Sequence, residues 1–143
     1  RADMAEPLLT VRHVMQPEPE VVTPGLPIGA AIGLMNDRRI GALIVSADGA
    51  GLDGIFTERD LLRRIVAAPA DWRDLPVSAW MSVNPHTIGP DADWAAAVEM
   101  MDRFRVRHLP VIERGRVIGI LSTRLLMRTR AEHLDQQVAA RTR

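Results

Sequence analysis

The chain has 143 residues with 18 basic and 18 acidic side chains and no cysteine, and every basic residue other than histidine is arginine. Balanced charge gives no field to draw in nucleic acid or an anionic membrane, and the apolar runs are too short and charge-broken to span a bilayer. Without cysteine there is no disulfide framework and no thiolate chemistry, so the expectation is a soluble cytoplasmic protein of one domain or two closely packed halves.

Residues 1–10 read as an unstructured lead, with Arg1-Ala2-Asp3-Met4 as a tag remnant before a natural start. Val11 to Met15 opens the first ordered segment. Val21-Val22-Thr23 is a short extended piece, and Pro24 and Gly25 turn the chain. Pro27 opens a helix that carries Ile28, Ala31, Ile32 and Met35 on one face at helical spacing. Ala42-Leu43-Ile44-Val45 is a buried strand, residues 47–51 a hairpin turn, and Gly54 to Phe56 the return strand. A helix follows from Thr57.

The same order then recurs. Met15 matches Met81, Pro24 matches Pro90, Ile32 matches Val98 and Leu43 matches Leu109, all at an offset of 66 read from the sequence. After a turn one residue shorter, Gly54 matches Gly119 at an offset of 65. The spacing predicts an α/β (α+β) fold of two β-α-β-β-α repeats, spanning 11–66 and 77–130. A linker at 67–76 joins them, and residues 131–143 form a helical tail. Each copy buries only one sheet face alone, so the two pack about a pseudo-twofold axis.

Thr57 and Asp60 stand three residues apart at the start of the first repeat's last helix. One reading is a capping box, with Thr57 as cap and Asp60 reaching back to the Thr57 amide. The other is a ligand grip, in which an acceptor-only carboxylate takes the two adjacent donors of a diol. In the second copy Ser122 keeps the cap position, but Leu125 replaces Asp60.

The tandem of Gly54-Ile55-Phe56-Thr57-Glu58-Arg59-Asp60, Val106-Arg107-His108-Leu109-Pro110-Val111 and the Val-Met-x-Pro run at Val14 resembles a pair of cystathionine-β-synthase (CBS) motifs, the unit called a Bateman module. The resemblance covers roughly residues 11–134. It implies a regulatory or sensory module that binds an adenosine-containing nucleotide (AMP, ADP or ATP) between the repeats and passes occupancy to an output domain. It further implies a homodimer. S-adenosylmethionine or NAD sensing, and a scaffold with empty clefts, are the alternatives.

Carried over residue by residue, the resemblance implies that Asp60 and Thr57 hold the ribose while Met15, Glu20, Val21 and Ile40 surround the adenine in the same cleft. Arg107, His108 and Arg124 from the other repeat meet the phosphates there, a role suited to arginine's planar fork. A second, poorer cleft is lined by Trp80, Met81 and Ser122. The first copy has Gly41 and Ala42 where the second has Arg107 and His108.

His13, His86, His108 and His133 show no metal-ligand spacing. No nucleophile arrangement and no P-loop lysine is present, so neither catalysis nor an obligatory cofactor is expected. The tail from His133 to Arg143 resembles the helices that join sensory domains to signalling outputs, and a frayed solvated end is the alternative.

Overall fold

In the computed structural model, which describes residues 9–141, five helices and seven strands form two sheets. Most of the expected lead, residues 1–8, and the last two tail residues lie outside the described residues. The first half contains α1 (Val11–Val14), β1 (Gln16–Pro17), β2 (Val21–Val22), α2 (Ile28–Arg38), β3 (Ala42–Val45), β4 (Gly54–Thr57) and α3 (Glu58–Ile65). Two short 3-10 turns, Trp72–Asp74 and Val77–Ala79, lead to the second half. There β5 (Ser82–Val83), α4 (Trp94–Phe104), β6 (His108–Glu113), β7 (Arg116–Ser122) and α5 (Thr123–Arg141) follow.

Local sequence accounts for these elements. β3 is buried at every residue because β2 pairs with it in parallel on one side and β4 antiparallel on the other, which explains its unbroken apolar run. α2 buries Ile28, Ala31 and Met35 at helical spacing, and α4 buries Ala97 and Met101 in the same places of the second repeat. Asp93 caps α4 by accepting the Ala96 amide at 2.8 Å. In the 47–51 turn the Asp48 carboxylate accepts the amides of Ala50 and Gly51, and these bonds pull its pKa down to about 2. α5 runs on through the tail as far as Arg141.

The sheets do not follow the division of the sequence. One has the order β2-β3-β4-β5 and the other β1-β7-β6, so the strand that opens each repeat joins the sheet of the other. Gln16 faces Ile120 and Pro17 faces Gly119, while Ser82 faces Ile55 and Val83 faces Gly54. The flanking hydrogen bonds are exchanged in the same way. Ile28 N–H donates to Leu75 O, and Trp94 N–H donates to Leu9 O; Val77 N–H donates to Leu26 O, and Val11 N–H to Ala92 O.

The cores are therefore composite. Val22, Ile28, Leu43, Val45 and Phe56 of the first repeat are closed over by Val77 and Trp80. Ile88, Leu109, Val111 and Leu121 of the second are closed over by Val11 and Val14. Trp80, expected at the mouth of the second cleft, is only 6% exposed and stacks on Trp72 with ring centroids 5.5 Å apart. The exchange needs room at two points. A Cβ on Gly54 would lie 2.6 Å from Met81 Sδ and 2.8 Å from Ser82 O, and one on Gly119 would lie 2.5 Å from Met15 Sδ and 2.9 Å from Gln16 O.

Because a backbone oxygen is among the obstacles, Gly54→Ala and Gly119→Ala are each expected to lose about 1–3 kcal/mol in urea unfolding. Gly33→Ala, on the open side of α2 with nothing within 4 Å, is expected to gain about 0.5–1 kcal/mol.

Candidate functional site

The starts of α3 and α5 are held in the same way. Glu58 N–H donates to Gly41 O at 3.1 Å, and its counterpart Thr123 N–H donates to Arg107 O at 2.9 Å. These bonds fix the first turn of each helix against the chain just before a strand, β3 or β6. The residues around the two helix starts differ in chemistry.

At the start of α3 the capping box is made. Asp60 N–H donates to Thr57 Oγ1 at 3.2 Å, and Thr57 N–H donates to Asp60 Oδ2 at 2.9 Å. The exchanged β5 adds another donor to the carboxylate, since Ser82 Oγ–H reaches Asp60 Oδ1 at 2.8 Å. Asp60 is 7% exposed, and both of its carboxylate oxygens accept a hydrogen bond. Arg59, next along α3, donates from Nη1 to Arg105 O at 2.5 Å and is thereby tied to the end of α4.

At the start of α5, Ser122 Oγ accepts the Leu125 amide at 3.0 Å, and no carboxylate follows. Here an open cleft of about 1310 Å³ is lined by Glu20, Ile40, Arg107, His108, Ser122 and Arg124, with Ile120 and Leu125 among its apolar residues. Its charged wall holds five arginines (38, 39, 107, 124 and 128) against Glu18, Glu20 and Glu58. Arg38 pairs with Glu20 at 3.1 Å, so a cationic excess remains. Burial pushes the His108 imidazole below its ordinary value of 6.5, and the neighbouring Arg107 and Arg59 charges push the same way.

This geometry corrects the expected grouping. Glu20 and Ile40 do not share a cleft with Asp60; they line the Ser122 side, together with Arg107, His108 and Arg124. Met15 packs on Gly119 of the second repeat, and Val21 pairs with Ile44 inside the first sheet. Met81 packs on Gly54, on the Asp60 side, and Trp80 is a core residue. The physical reason is the strand exchange, which carries the lead-in of each repeat to the helix start of the other.

Sequence reasoning also missed three side chains. Ser82 bonds Asp60, while Glu58 and Arg39 line the arginine-rich cleft. The signal for Ser82 was its offset of 66 from Gln16, a position at the same distance before its own repeat. His86 stacks on Phe104 with centroids 3.6 Å apart, where the first repeat has the Glu20–Arg38 ion pair. Among the described residues no group of three His, Cys, Asp or Glu side chains stands together to hold a metal ion, and no helix is long and apolar enough to cross a membrane.

The family model described as CBS domain matches this chain twice, over residues 11–67 and 74–132. A CBS domain-containing protein of Arabidopsis thaliana, CBSCBSPB5, is 37% identical over 87 residues, 61% of this chain. The matched part is 16% of that plant protein, so the chain spans a small share of its length. Among solved structures, the CBS-domain containing protein ATU1752 from Agrobacterium tumefaciens is 32% identical, with a TM-score of 0.81, over 88% of this chain and 97% of that one. Two more distant neighbours share the fold. The CBS pair of MJ0100, in complex with 5'-methylthioadenosine and S-adenosylmethionine, is 19% identical with a TM-score of 0.78, over 89% of this chain and 99% of that one. CBSX2, in complex with AMP, is 23% identical with a TM-score of 0.77, over 87% and 97%. With both repeats matched and the exchanged pair of sheets in place, the chain belongs to the CBS domain family.

Proposed function

We propose that this CBS pair is a regulatory module, not an enzyme, which takes an adenosine-containing nucleotide (AMP, ADP or ATP) between its repeats. The observation that carries the reading is the meeting of Arg107, His108 and Arg124 with the apolar Ile40, Ile120 and Leu125 in one cleft of about 1310 Å³. Guanidinium forks suit phosphate oxygens, and an apolar wall suits the faces of a base. The AMP complex of the neighbouring CBSX2 agrees with this ligand class. Ligand occupancy then acts on a partner or output domain to the extent that the ligand prefers one arrangement of the repeats.

A second ligand class is favoured by the other helix start. There the Asp60 carboxylate, whose oxygens keep lone pairs beyond their bonds to Thr57 and Ser82, stands as an acceptor for a ribose diol outside the arginine-lined cleft. That chemistry suits an adenosyl group without phosphates, such as S-adenosylmethionine, and the MJ0100 complex is a parallel. A homodimer in the cytoplasm belongs to the same proposal. It is supported by Leu62 of α3 and Val66 just after it, 69% and 89% exposed, and by Met127 of α5, the counterpart of Leu62, 46% exposed.

Calorimetric titration with AMP, ADP, ATP, S-adenosylmethionine and NAD tests the reading. Phosphate-bearing nucleotides are expected to bind the wild type, to lose about tenfold or more in Arg107→Ala/Arg124→Ala, and to be retained by Asp60→Ala. Loss in Asp60→Ala with retention in the arginine variant moves the nucleotide to the other cleft. No binding of any of the five to protein free of carried-over ligand leaves a dimerisation scaffold as the better account.

Asp60→Ala is also expected to cost about 1–3 kcal/mol of stability with no ligand present, because Ser82 and the Thr57 amide lose their acceptor. Urea unfolding checks this, and it is the reason to read binding by calorimetry.

The lowered pKa leaves His108 neutral at pH 7, so acidification adds a positive charge to the cleft wall. The wild-type affinity for ATP, taken relative to His108→Gln, is therefore expected to rise as pH falls below the ordinary imidazole value of 6.5. The variant as reference cancels protonation of the phosphate itself.

A further inference from the structure

Glu58 is the first residue of α3, yet its side chain belongs to the cleft at the start of α5. Gly41 makes this possible. A Cβ at position 41 would collide with Glu58 Oε1 and lie 3.5 Å from His108 Cε1, so the carboxylate fills space left open by the glycine, close to the imidazole. The counterparts of Gly41 and Glu58 in the second repeat are Arg107 and Thr123, so one repeat supplies a cation at this junction and the other an anion. Glu58 is exposed and, among the described residues, its carboxylate takes part in no hydrogen bond or ion pair. It lowers the positive potential of the cleft while leaving the guanidinium donors of Arg107 and Arg124 free for a ligand.

We propose that Glu58 is a specificity-determining residue that limits how much negative charge the cleft accepts, favouring a nucleoside monophosphate over a triphosphate. The proposal rests on the nucleotide reading above and adds the phosphate count to it. Each further phosphate brings charge within about a Debye length, ~10 Å, of the carboxylate, so the repulsion grows along the series from mono- to triphosphate. The arginines attract every member of the series. Glu58 subtracts most from the member with the most charge.

The test is calorimetric titration of wild type, Glu58→Gln and Gly41→Ala with AMP and with ATP, in buffer containing a chelator so that no divalent cation masks the phosphates. Glu58→Gln keeps the side-chain shape and the backbone bond to Gly41 O. It is expected to tighten ATP about tenfold and AMP about twofold. Gly41→Ala forces the flexible carboxylate away from the junction and is expected to shift the ATP-to-AMP ratio in the same direction by a smaller factor. A ratio equal in all three proteins, with binding present, overturns the role of Glu58 and leaves the nucleotide reading standing. Binding of neither nucleotide to any of the three overturns that reading and this proposal with it.

Discussion

The structure depends on a β-strand that each repeat gives to the other. β1 lies on β7 and β5 lies on β4, each over a glycine that admits a backbone oxygen where a side chain would stand. Neither repeat has a closed core without this gift, because Val77 and Trp80 complete the first and Val11 and Val14 complete the second. Sheet hydrogen bonds and apolar burial thus act at the same two seams. The halves are coupled in a way that a flexible linker alone does not provide, and a change felt at one helix start has a short path through β5 or β1 to the other repeat.

The same exchange leaves two helix starts that are equivalent in backbone and different in chemistry. On one side Asp60 is satisfied by Thr57 and Ser82, and Arg59 is held by the carbonyl of Arg105. On the other, Leu125 stands where the carboxylate was, and Arg124, the counterpart of Arg59, lines an open cleft beside Arg107. The two repeats share one frame, and a handful of positions distinguish the half with a satisfied carboxylate from the half with a cluster of arginines.

The sequence made much of this frame readable. The offsets of 66 and 65, the apolar run Ala42 to Val45 and the cap residues Thr57 and Ser122 correspond to elements that are present. The partnering of the clefts was not readable, for a physical reason. A lead-in strand packs equally well by pattern on its own repeat or on a near-identical copy, and hydrophobic periodicity carries no information about which copy it chooses. Trp80 was misassigned for a related reason. In sequence it adjoins the second repeat, but its ring completes the core of the first.

Arg39 and Arg105, the residues that end α2 and α4, both adopt left-handed backbone conformations, with φ of 55° and 54°. Glycine is the residue that fits such a position without strain, and an arginine there costs on the order of 1 kcal/mol. Both repeats accept that cost at the same place. Arg39 sets a cation on the rim of the open cleft, and the carbonyl of Arg105 anchors Arg59. Glycine would relieve that strain at either place; at the rim of the cleft the protein holds the charge of Arg39 at the expense of some stability.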